Sequence, residues 1–95
     1  MAAIVIARIR VTDPARYEAY KPLAKLAIEK FGGRYLVRGA EAVAIEGEAP
    51  AERHVVVEFD SIDTIHRFYD SPEYRAAREA RAGAAVAMIL ALQGV

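Results

Sequence analysis

One segment constrains this chain more than any other. Arg53-His54-Val55-Val56-Val57-Glu58-Phe59 reads as a strand, because β-branched residues suit a pleated, packed surface. Ser61 then caps a helix whose apolar stripe is Ile62, Ile65 and Tyr69, flanked by Phe68. Ser71-Pro72-Glu73 starts a second helix at once, with a cap, a proline at the first helical position and an acid in the first turn. A buried strand followed by a divided helix must fold back across a sheet, so the remaining segments are read as the rest of that sheet and its cover.

Ala3 to Val11 alternates as a strand, with Ile4, Ile6, Arg8 and Arg10 on one face and Val5, Ala7, Ile9 and Val11 on the other. Asp13 and Pro14 begin a helix with the apolar stripe Tyr17, Tyr20, Ala24, Ala27, Ile28 and Phe31. Pro22 inside it predicts a kink or a split, and Leu26 falls nearly opposite the stripe. Gly32-Gly33 ends the helix, the first glycine in the left-handed conformation. Arg34 to Arg38 is expected as a short strand, Gly39 as a turn, and Ala42 to Glu46 as the returning antiparallel strand. Gly47 to Glu52 is a polar loop. The helix after Pro72 carries a small-residue face, Ala76, Ala77, Ala80, Gly83 and Ala84, suited to close approach to a sheet. Val86 to Gln93 is the closing strand. The order predicts an α+β domain over residues 1–95, βαββαβ with a split second helix, an antiparallel sheet and an extra hairpin strand. Helices then cover one sheet face only, and the other needs a partner.

Composition agrees with a partner. A chain of 95 residues buries roughly 60–65% of its unfolded surface, yet 55% of this one is apolar or tyrosine, so a second copy is expected to cover part of it. Acids and bases balance at 13 each, which offers no field for a phosphate backbone and argues against nucleic acid. The absence of cysteine removes disulfides, iron–sulfur ligation and thiol nucleophiles, and fits a cytoplasmic location. Arg8 and Arg10 interrupt the apolar N-terminus, so neither a signal peptide nor a membrane span is expected there. Two histidines, His54 and His66, lie far apart, so no metal site and no cofactor is expected.

Several segments together resemble domain-of-unknown-function family 1330. They are Tyr17 … Tyr20, Gly32 to Gly39, Glu46-Gly47, Arg53 to Phe59, and Tyr69-Asp70-Ser71-Pro72-Glu73-Tyr74 … Arg81. The resemblance spans nearly the whole chain. It departs from the usual pattern at Ala40, Ile65 and Arg67-Phe68-Tyr69. It implies a ferredoxin-like protomer and a homodimeric α+β barrel closed by two sheets face to face. The wider group includes cofactor-free quinone-forming monooxygenases, muconolactone isomerase and haem-binding chlorite dismutases, so the resemblance supplies no single reaction.

Two constellations could carry chemistry. By alternation His54, Val56 and Glu58 share the polar sheet face with Arg8 and Arg10, joined by Arg34 and Arg38 with Glu46 opposite. That layer is either functional or an ion-pair layer that sets dimer register. The second constellation is the helix–sheet cleft, where Tyr17, Tyr20, Tyr69 and Tyr74 could wall a small aromatic or carboxylate-bearing ligand near Arg81. The alternative for these tyrosines is plain core. The leading reading is small-molecule binding, with cofactor-free monooxygenase or isomerase chemistry as its enzymatic form. Its candidate proton acceptors are His54 or Glu58, its candidate anchors Arg38 or Arg81, and tyrosines form the wall. The alternative is a non-catalytic homodimeric interaction or stress-associated module. An open cleft favours the first and a closed tyrosine core the second.

Overall fold

The computed structural model describes residues 2–95. Strand β1 (Ala3–Val11) leads through an Asp13 cap into helix α1 (Pro14–Lys30). Then follow β2 (Arg34–Glu41), β3 (Arg53–Phe59), α2 (Ile62–Asp70), α3 (Pro72–Ala80) and β4 (Ala85–Gln93). The sheet order is β2-β3-β1-β4, and every neighbouring pair is antiparallel. This is the ferredoxin-like α+β arrangement, with the second helix split at Ser71 as its cap and proline demand.

The strand faces follow the alternation. Ala3, Val5, Ala7 and Ile9 of β1 and Val57 and Phe59 of β3 are buried under the helices together with Tyr17, Tyr20, Ala24, Ala27 and Ile28 of α1. On the reverse side, Ile4, Ile6 and Arg8 lie across from Glu58, Val56 and His54 on one flank and from Leu92, Leu90 and Met88 on the other. No helix covers that side. Val86, Met88, Leu90 and Leu92 stay 48–56% exposed, an apolar row along β4.

Four expectations need correction. Helix α1 runs unbroken through Pro22. Proline forfeits one backbone bond, but the tyrosines before it and Ala24, Ala27 and Ile28 after it are all held in the core, so tertiary burial overrides the break. Residues Ala42 to Glu46 form no strand; Val43 and Ile45 project into solvent at 82% and 94% exposure. Gly39 is not the end of β2 but a positive-φ residue (+81°) inside it. The small face of α3 packs chiefly along α1 and not on the sheet. Ala77 is fully buried there, whereas Ala76 is exposed.

Strand β2 carries two register shifts, one between Tyr35 and Val37 and one between Arg38 and Ala40. Each inserts one residue on β2 without a counterpart on β3. Strict alternation from Arg34, which pairs with Glu58, would turn Arg38 toward the open face. The first bulge moves it opposite Val55, on the helix side. Glu46 is in the loop after β2 and faces none of these arginines across a strand.

The junction of α1 and β2 depends on both glycines. Gly32 takes φ +75° to close the helix. At Gly33 a Cβ would come within 2.7–2.8 Å of the Ile28 methyl and the Phe59 ring. Gly33→Ala is therefore expected to lower the unfolding free energy by about 1–3 kcal/mol, as for other overpacked sites. Urea unfolding checks this; an unchanged midpoint would mean that Ile28 and Phe59 give way freely.

Candidate functional site

Helix α1 does not close fully on the sheet. Between them lies an open cleft of about 330 Å³. Its floor is the helix side of β1 and β3, with Val5, Ala7, Val55 and Val57, and Ala24 and Ile28 line it from α1. Small side chains, Ala7 and Ala24, leave the space that larger ones would fill. Tyr17, Tyr20, Tyr35 and Tyr74 add rings and hydroxyls. Lys21, Arg38 and Arg53 also border it, and no carboxylate or imidazole does so among the described residues.

The hydroxyls of Tyr20 and Tyr74 are 2.7 Å apart and buried, so one donates to the other. Their rings meet edge to face, with centroids 6.2 Å apart, and the Tyr17 ring lies 5.2 Å from that of Tyr20. Burial pushes the Tyr20 phenol far above its ordinary value, reinforced by Tyr74. Burial raises Tyr17 as well, and the positive charge of Arg53 partly opposes it; Tyr35 is raised by burial and opposed by Arg38. All three phenols are therefore neutral donors at physiological pH.

The residues singled out from sequence divide between three places. Tyr17, Tyr20, Tyr74 and Arg38 come together at the cleft. Tyr74 is a core residue, 2% exposed, and not a border position. Tyr69 lies outside the lining: Phe68 takes the buried position, and the Tyr69 ring carries the Arg78 guanidinium at 4.2 Å from its centroid. Arg81 also stays outside the lining, its guanidinium 5.3 Å from the Tyr20 ring centroid and its Nε buried without a partner. His54 and Glu58 are on the open sheet face, where Arg34 donates to Glu58 at 2.5 Å and His54 Nδ1 has no partner. The sheet separates both from the cleft.

Sequence reasoning missed Arg53, Tyr35 and Lys21. Arg53 begins the valine-rich strand, and its alternation with Val55 and Val57 already placed it on the helix side. Tyr35 sits one residue before the first bulge, also on that side. Lys21 lies beside the Tyr17–Tyr20 stripe and donates to Glu18 at 3.0 Å. No group of three or more metal-ligating side chains occurs among the described residues, and no helix is long and apolar enough to cross a membrane.

The sheet order, the split helix and the cleft beneath α1 define a ferredoxin-like α+β protein. The chain belongs to the family described as a domain of unknown function, DUF1330, whose model matches residues 2–95. No curated protein matches it. Similar solved structures include a protein of unknown function from Rhodopseudomonas palustris, at TM-score 0.78 and 18% identity over 99% of this chain and 82% of that one. SnoaB, a cofactor-independent oxygenase from Streptomyces nogalater, superposes at TM-score 0.67 and 14% identity, covering 99% and 93%. A dimeric ferredoxin-like protein of unknown function from Bacteroides fragilis does so at 0.66 and 13%, covering 98% and 96%. At these identities the likeness establishes the fold.

The tyrosine pair makes two measurable demands. Tyr20→Phe strands the buried Tyr74 hydroxyl and should cost about 1–3 kcal/mol, whereas the double replacement with Tyr74→Phe should cost less than the two single changes added. A folded-state pKa above 10.0 also means that the unfolded chain loses this proton first. The contribution is thus complete below pH 10 and declines as pH rises beyond it. Alkaline unfolding curves should be shallower for Tyr20→Phe; identical curves would place the Tyr20 hydroxyl in water.

Proposed function

We propose that this protein binds a small organic molecule in the cleft between α1 and the sheet, and that it works as a homodimer joined through the open sheet face. The observation that carries the binding proposal is the cleft itself: an open, mostly apolar space of about 330 Å³ with its polar groups converging from tyrosines and basic side chains. Ligand sites for small molecules have this character and start near this size. Such an opening also favours binding over a module that only associates with itself.

Enzymatic turnover is the narrower form of the reading. A protein with this fold, the Streptomyces nogalater enzyme, is a cofactor-independent oxygenase. In the present cleft the phenols and cations suit recognition better than proton transfer, since no carboxylate or imidazole lines it among the described residues to serve as a general base. His54 and Glu58 fit better as part of the dimer contact. Together with Arg8 and the Arg34–Glu58 pair they form a polar strip beside the apolar row of β4, the arrangement that fixes register between two copies. The dimeric Bacteroides fragilis relative in fold supports this assembly.

Two measurements test the proposal. Ligand-detected NMR across a panel of small aromatic compounds should find binders for the native protein, and Ala24→Phe, which fills the cleft from α1, should abolish their signals while the fold persists. Light scattering at micromolar concentration should give about twice the 10.4 kDa chain mass. Leu90→Lys, mid-row and opposite Ile6, should give the single-chain mass. A native monomer would sink the dimer, and signals indifferent to Ala24→Phe would sink the cleft.

A further inference from the structure

We propose that Arg38 and Arg53 form a two-guanidinium clamp for a carboxylate at the cleft, so that the molecule taken there is an organic acid with a compact, apolar or aromatic body. This deepens the binding reading above and rests on it.

Among the described residues three basic side chains border the cleft, Lys21, Arg38 and Arg53; Arg81, without a carboxylate partner, stays outside the lining over the Tyr20 ring. Lys21 is paired with Glu18 at 3.0 Å, Lys30 with Glu73 at 2.6 Å, and Arg34 with Glu58 at 2.5 Å. Arg38 and Arg53 form no ion pair with a carboxylate among the described residues, although both border the cleft. The case of Arg53 is pointed. Its register partner on β2 is Glu41, an acid on the same face, yet no ion pair closes between them. The Arg53 guanidinium lies instead over Gly39, where any Cβ would collide with its Nη2 and crowd its Cζ and Nε. Gly39 adopts φ +81°, so the second bulge both needs a glycine and clears the space that the guanidinium occupies. The first bulge brings Arg38 to the same side of the sheet. Its guanidinium carbon sits 4.7 Å from the Tyr35 ring centroid, which holds the head group by stacking.

Two planar forks on one side of the sheet, one over Gly39 and one stacked on the Tyr35 ring, with no acid among the lining residues, match the needs of a carboxylate. Guanidinium–carboxylate bonds are charge-assisted and often bidentate, and a lysine cannot reproduce that geometry. The positive field reaches into the cleft, since Arg53 opposes the burial-driven rise at Tyr17 and Arg38 does so at Tyr35. The apolar floor of Val5, Val55 and Val57 then receives the body of the acid.

The test compares 2-naphthoate with 2-naphthamide, which share a ring system and differ in charge, by ligand-detected NMR titration of the native protein. The acid should bind at least about tenfold more tightly. Arg38→Met and Arg53→Met should each remove most of the acid's preference over the amide while the fold persists, because methionine keeps the apolar stem but not the charge. Arg53→Lys, which keeps the charge, should recover only part of the preference. Inorganic phosphate at equal concentration should compete weakly, since it has no body for the floor. Equal binding of acid and amide by the native protein would overturn the clamp and leave the cleft reading standing. So would a preference that survives both methionine variants and vanishes in Lys21→Met. Silence from both compounds at millimolar concentration, with the rest of the aromatic panel silent too, would overturn the cleft reading and the clamp with it.

Discussion

A phenol can leave water only if its hydroxyl finds a partner, and this fold meets that constraint by joining two helices. Tyr20 in the middle of α1 and Tyr74 at the start of α3 satisfy one another across the buried layer. Ser71 supports the same junction. Its hydroxyl accepts from the Tyr74 amide and donates to the Phe68 carbonyl, so the break between α2 and α3 is bridged in both directions. The Tyr74 ring then packs on Phe68 and Tyr69, with centroids 4.4 Å and 5.6 Å away. The position of α1 over the sheet, and hence the existence of the cleft, depends on this knot. Were these positions phenylalanine, the rings' bulk would be matched, but no hydrogen bond would specify how α1 and α3 meet.

The two sides of the sheet consequently do different things with charge. On the helix side, cations stand beside neutral phenols with no acid among the lining residues. On the open side, Arg34 and Glu58 neutralise one another, and the rest of the surface is dominated by aliphatic side chains of β1 and β4. The first pattern leaves an electrostatic demand unmet within the chain; the second leaves chiefly an apolar demand, with Arg8 and Arg10 beside it in no ion pair among the described residues. A small anion and a second copy of the protein are the complements proposed above for those two surfaces.

Much of this architecture was legible in the sequence because its signals are local. The cap and proline at Ser71-Pro72 set the helix break, and β3 has the bounds that its valines and flanking residues mark. Two of the cleft tyrosines, Tyr17 and Tyr20, fall on the apolar stripe of α1 that their spacing marks, whereas Tyr74 reads from sequence as a border position. The errors cluster on β2. Gly39 has the signature of a turn, and Val43 and Ile45 alternate as a strand would, yet the hairpin they describe does not form. The partner available to β2 was the longer, more apolar β3, and pairing with it absorbed two extra residues as bulges. Bulges leave no periodic trace, so the face occupied by Arg38 was assigned to the wrong side and the convergence with Arg53 went unseen. Pro22 failed for the opposite reason: its signal was clear, and burial on either side outweighed it.

The bulged strand is also one of the sheet's two borders. A regular border strand offers a row of unpaired amides and carbonyls on which any extended chain could continue the sheet, a common start of aggregation. Strand β2 breaks that row twice within eight residues, and a foreign strand could match its spacing only by bulging in step. The opposite border, β4, runs nine residues in unbroken register with β1 and has no such defence in its backbone. Uncontrolled growth of the sheet is thus directed to a single side. The irregularities that aim an arginine inward make the protein's exposed margin a poor template for its own misassembly.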